Sequence, residues 1–139
     1  MRNLTRLLVV ACGCVVPTAA ALAQVPPAPT PRPLEAVTID FTPGSARLSN
    51  IAKAKLDEVA LVMKQEPDAR AQVIGYAAPN EGSEAAQQLA ERRASAVKNY
   101  LVTRHGIDPS RITTSGNVSS GGVCADGGRC AVLTVLVPQ

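Results

Sequence analysis

Arg93 raises the first chemical question. In the stretch QLAERRASAVKNYLV, residues 88–102, successive residues lie about 100° apart on a helix. That spacing puts Ala86, Leu89, Ala90, Ala94, Val97, Tyr100 and Leu101 on one arc, the arc a helix normally turns inward. Arg93 falls inside it, and arginine is rarely buried without a partner. Two readings are open. The stem can cover the edge of the core while the guanidinium reaches water. Alternatively, the guanidinium lies at the floor of a cleft beside GYAAPNEG and grips a carboxylate through two parallel hydrogen bonds.

The other groups able to do chemistry have plainer explanations. Asp57 and Glu58 are adjacent on a helix, point in different directions and read as a solvated face. Glu81 and Glu84 stand where a second helix starts, and negative charge there favours the helix dipole. His105 and Gly106 suit that helix's C-terminus, as a cation near the last carbonyls and a residue tolerant of left-handed φ. No Gly-x-Ser-x-Gly, phosphate-loop lysine or His-Glu-x-x-His occurs, so the chain reads as non-enzymatic, without a cofactor.

Cys124 and Cys130, in CADGGRC, are an even pair in a chain with an export signal, and they predict a disulfide. A metal pair and a redox dithiol are the rival readings. The spacer is not Cys-x-x-Cys, and the one histidine lies elsewhere. The export signal is residues 1–23. Arg2 and Arg6 precede the apolar run LLVVACGCVV, and Ala21-Leu22-Ala23 forms a cleavage site. Cleavage before Cys12 with lipid attachment is the alternative, because VVAC resembles a lipobox. The run is short of the ~20 residues a membrane span needs.

Of 14 basic and 11 acidic side chains, the signal removes two basic ones. The near-neutral remainder has no basic run, and Phe41, Tyr76 and Tyr100 are its only aromatics. Nucleic acid is therefore an unsuitable partner.

These residues need a scaffold. Residues 24–36 carry five prolines and favour a stiff, extended spacer. In 36–41, Val37, Ile39 and Phe41 alternate as in a strand. Ser49 caps a helix with Ala52, Leu56, Val59, Ala60 and Met63 facing inward, and Pro67 lies beyond its end. Residues 71–77 form a second strand, and Ser83 caps the second helix, which runs to about Arg104. Residues 111–117 and the apolar AVLTVLVP complete four strands. The order β-α-β-α-β-β predicts an α+β two-layer sandwich, with two helices on one face of a mixed four-stranded sheet. A domain over 37–139 is large enough for one core.

The segments VTIDFTPGSARLS, VIGYAAPNEGSEAAQQLAERRASAVKNYLV and HGIDPSRITTSGN resemble the OmpA C-terminal family of peptidoglycan-associated domains, which includes the Pal and MotB modules. The resemblance covers about residues 36–137, and its most specific part is Leu89, Arg93 and Ala94 followed by GIDPSRI. It implies the same element order and a non-enzymatic domain of the periplasm, associated with the outer membrane. Such a domain holds the peptide stem of peptidoglycan, commonly at diaminopimelate, between an aspartate and an arginine.

Carried over, the arginine is Arg93, while the aspartate position is Ala78. The helix asparagine falls on Ala86, the polar residue of the first loop on Gly44, and the paired arginines near the end on Arg129 and Cys130. Losing the acid removes a charge-assisted hydrogen bond of ~1.5–3 kcal/mol, a roughly ten- to hundred-fold weaker grip. Asn80 or Glu81, from the wall that begins at Tyr76 and ends at Gly82, can reach in to compensate. The expected ligand-binding set is thus Arg93, Asn80, Glu81 and Tyr76. The competing expectation is a domain of the same fold that contacts envelope proteins, with Arg93 paired internally and no hold on the wall.

Overall fold

The computed structural model describes residues 32–81, 85–119 and 121–138. Seven elements follow one another: β1 (Arg32–Asp40), α1 (Asn50–Gln65), β2 (Arg70–Ala77), α2 (Ala86–His105), a 3-10 turn (Pro109–Arg111), β3 (Ile112–Val118) and β4 (Cys130–Val137). The expected β-α-β-α-β-β order is present. The export signal, Gly82, Ser83 and Glu84 lie outside the described residues.

The sheet order is β1-β4-β2-β3, with β4 antiparallel to both neighbours and β2 parallel to β3. The last strand made is therefore a central one. Its run of Val and Leu suits that place, because a central strand covered by helices buries apolar side chains and pairs along both edges.

Strand β1 starts at Arg32, four residues before the sequence pattern suggests, so the end of the proline-rich segment pairs with β4. Alternation hid this, because Pro33 reads as a strand breaker. Here it sits on an edge strand beside a register shift between Pro33 and Glu35, where a missing N–H is tolerated.

Val37, Ile39, Ala71, Val73, Ile112, Ala131, Leu133 and Val135 share one face of the sheet by register. They form one core with Leu56, Val59, Ala60 and Met63 of α1 and Val97 and Leu101 of α2. Both helices thus cover the same face. Helix α1 begins as expected, with the Ser49 hydroxyl accepting from the Ala52 N–H at 3.1 Å. Helix α2 begins at Ala86, with Ala85 in the cap position and no side-chain cap. It ends at Gly106 in the left-handed region, φ 67°.

Two side chains tie separate elements together in ways that local pattern does not show. Arg111 donates to the carbonyls of Ala69, Met63 and Glu66 at 2.8–2.9 Å, closing the C-terminus of α1 onto the start of β2. Asp57 is not merely part of a solvated face. Its Oδ1 accepts from the Tyr100 hydroxyl at 2.9 Å and lies 2.6 Å from His105 Nε2. The bond to His105 and then that to Tyr100 hold the Asp57 carboxyl below the usual aspartate range. His105 therefore has an acidic partner 48 residues away in sequence as well as its place at a helix end.

Candidate functional site

Three chain segments meet at one end of the sandwich. They are the turn after β1, the turn after β2 and the loop before β4. Arg93 projects from the inward face of α2 beneath them and is 0% exposed. Its guanidinium is fully engaged. Nε donates to the Ser45 carbonyl at 2.9 Å, Nη1 to the Tyr76 carbonyl at 2.8 Å and to Glu81 Oε2 at 2.9 Å. Nη2 donates to the Thr42 carbonyl at 3.2 Å and to Glu81 Oε1. An arginine has five N–H donors, and all five are met by this chain. The Phe41 ring adds a cation–π contact, with its centroid 5.3 Å from Cζ.

Glu81 is 7% exposed and does not sit in the first turn of α2, which holds no acid. The dipole role expected for it is corrected by this geometry. The chain turns at Pro79–Asn80 and folds Glu81 back, so that its carboxylate faces Arg93 in a two-pronged pair. Oε1 also accepts from the Gly44 N–H at 2.9 Å, and Oε2 from the Ala78 N–H at 3.1 Å. Gly44 has φ +65°, a conformation that costs a residue with a Cβ, and this turn aims its N–H at the carboxylate. Burial alone would raise the Glu81 carboxyl. The bonds from Arg93, Gly44 and Ala78 outweigh it and leave the group below the ordinary glutamate range.

The sign of the pH dependence follows from that direction. A depressed folded value contributes stability that is fully present above the unfolded value, about 4.3 for glutamate. That stability is lost as pH falls through the folded value. Thermal melts taken from pH 7 downward should hold until about pH 4.5 and then fall. Glu81→Gln should start lower and show a shallower acid limb. Wild-type and variant limbs of equal steepness would contradict the assignment.

Above the pair lies a hollow of about 470 Å³, lined by Pro43, Gly44, Ala78, Asn80, Glu81, Asp126, Gly127 and Arg129. The structure brings Asn80 and Glu81 to this hollow. Arg93 lies behind Glu81, and Tyr76 contributes its carbonyl to Arg93 without lining the hollow. Ala78 is on the wall, where its methyl group offers no charge. Ala86 packs instead beside Ala77, Leu89 and Ala90 in a small apolar cluster.

The wall formed by residues 126–129 belongs to a loop closed by the Cys124–Cys130 disulfide, worth roughly 2 kcal/mol for so short a loop. The Arg129 carbonyl accepts from the Phe41 N–H at 2.9 Å and joins this loop to the end of β1. Sequence reasoning did not single out Asp126. Its position between the two cysteines and beside two glycines was the available signal.

The fold has counterparts. The OmpA family pattern matches residues 40–127, more than half of the chain. The chain belongs to the OmpA family.

A probable lipoprotein of Escherichia coli (strain K12), YiaD, is 36% identical over 78 residues, 56% of this chain and 35% of that protein. The chain thus matches about a third of that relative's length. Among solved structures, the OmpA-like domain of FopA1 from Francisella tularensis superposes with a TM-score of 0.64 at 22% identity, over 80% of this chain and 82% of that one. The peptidoglycan-associated lipoprotein of Burkholderia pseudomallei gives 0.62 at 20%, over 70% and 88%. OmpA family domains are non-enzymatic. Among the described residues, no group of His, Cys, Asp and Glu is placed to hold a metal ion.

Proposed function

We propose that this protein is exported to the cell envelope and rests non-covalently on the peptide stem of peptidoglycan. The contact is the hollow over Glu81, and the grip is weaker than in relatives that keep an acid at the position of Ala78. Family membership and the place of the hollow, directly above the Arg93 position, support the wall as partner. One observation carries the weakened grip: every donor of Arg93 is already bonded within the chain, and a carboxylate of the chain occupies its two-pronged face. A ligand carboxylate reaches that face only by displacing Glu81, which four hydrogen bonds hold.

The test is retention on purified sacculi. The wild-type protein should be retained weakly. Ala78→Asp places an acceptor on the wall of the hollow and should raise retention by about ten-fold or more, the worth of one charge-assisted hydrogen bond. No retention of either protein would overturn the reading. It would favour the second one, an envelope domain that contacts proteins alone, which the same saturation of Arg93 supports.

A further inference from the structure

With Arg93 and Glu81 neutralising each other, the charges left in the hollow belong to Asp126 and Arg129. Both line it, and among the described residues neither side chain makes a hydrogen bond or ion pair with the chain. Arg129 is half-buried, Asp126 exposed. An arginine partly withdrawn from water without an anion beside it is poised to accept one, and its flat fork matches a carboxylate. The two are not paired with each other, so each is available to a ligand.

Their placement is built into the loop. Cys124 and Cys130 close it covalently. Gly127 and Gly128 take φ +72° and +98°. A Cβ on Gly128 would lie 2.3 Å from the Ser119 carbonyl oxygen, so the loop is pressed against the end of β3 where only glycine fits. The Arg129 carbonyl is bonded to Phe41. Two opposite, unspent charges are thus carried on one short, multiply tethered segment.

The geometry points to Asp126 and Arg129 as the anchoring pair of this hollow, binding the zwitterion of an α-amino acid. Arg129 takes the α-carboxylate and Asp126 the α-ammonium. This rests on the reading under Proposed function and shifts the ligand's charged contacts from the α2 face to the disulfide-closed loop. The charge balance selects the class. The acid and base at the mouth sum to zero, as do Glu81 and Arg93 beneath, so a neutral zwitterion is matched and a dianion is not. Pro43, Gly44, Ala78 and Gly127 keep the walls low and leave room for the aliphatic remainder of the ligand.

The experiment follows backbone amide shifts of the ¹⁵N-labelled protein on titration with meso-diaminopimelate, which carries two such centres, together with sacculus retention. Arg129→Gln and Asp126→Asn keep side-chain bulk and remove one charge each. Among the described residues neither side chain has a bond to lose, and the Arg129 carbonyl is kept in the variant, so unchanged melting temperatures are expected. Each variant should weaken binding of the probe at least ten-fold, with wild-type shifts centred on Gly44, Ala78 and Gly127. Diaminopimelate acetylated on both nitrogens should bind the wild type at least ten-fold more weakly than the free compound. If the wild type is retained on sacculi but both variants bind within two-fold of it, the pair is not the anchor and the broader reading stands. If the wild type takes up neither probe nor sacculi, both fail together.

Discussion

Arg93→Ala should lower the free energy of unfolding by about 3–5 kcal/mol, the usual cost of breaking a buried ion pair by removing one partner. The alanine leaves the Glu81 carboxylate, 7% exposed, without its cation. It also leaves the carbonyls of Thr42, Ser45 and Tyr76 without their donor. Urea denaturation read by circular dichroism measures it.

A residue kept free for a ligand would behave differently. Its removal would abolish binding and barely move the midpoint. Here the stability loss should come first, and any binding loss should follow from collapse of the turns after β1 and β2. The double variant Arg93→Met with Glu81→Leu should recover much of the loss, because an apolar pair of similar volume replaces a desolvated ionic one at little cost. A single variant within 1 kcal/mol of wild type would show that water reaches and screens the pair, contrary to its burial.

Gly75→Ala carries the second large effect. A Cβ at Gly75 would lie 1.9 Å from the Ala90 carbonyl oxygen and 2.9 Å from the Ala94 nitrogen. Those are backbone atoms of α2, so no side-chain rotation relieves the clash. The helix must lift from β2 or the strand must bend. Added bulk in a packed core costs typically 1–3 kcal/mol, and this contact belongs at or beyond the upper end. The unfolding midpoint should fall accordingly. The amides of Ala90 and Ala94 should lose hydrogen-exchange protection before those of α1. Because Ala94 follows Arg93, the displacement should also loosen the Arg93–Glu81 pair, coupling a packing defect at the strand to the floor of the hollow. A neutral Gly75→Ala would mean that α2 and β2 are farther apart than the structure places them.

Some of this was readable from residue order because it depends on local repetition. Leu56, Val59 and Met63 recur at helical spacing, and Val37 and Ile39 at strand spacing. Those periods state which side of an element meets the core before any partner is known. Ser49 and Gly106 mark helix ends through their own bonding and backbone chemistry. The boundary of β1 was missed because Pro33 is acceptable only on an edge, and whether a strand is an edge depends on the order of the sheet. The C-terminal strand announced itself as apolar, but its place between β1 and β2 is a property of pairing.

The partner of Arg93 was beyond such reading for the same reason. Glu81 lies 12 residues earlier, at a site where a helix dipole would equally well explain an acid. What decides between the two is the meeting of three turns. The Pro79–Asn80 turn folds Glu81 inward, the left-handed Gly44 aims an N–H at it, and α2 sets the guanidinium opposite. Element order, inward faces, the helix ends at Ser49 and Gly106 and the cysteine pair were determined by sequence alone, through short-range interactions. The start of α2, by contrast, was expected at Ser83 and falls at Ala86. Which charges are spent inside the chain and which remain at the mouth of the hollow was decided only by tertiary structure, because a buried charge takes its partner from whichever segment the fold brings within hydrogen-bonding distance.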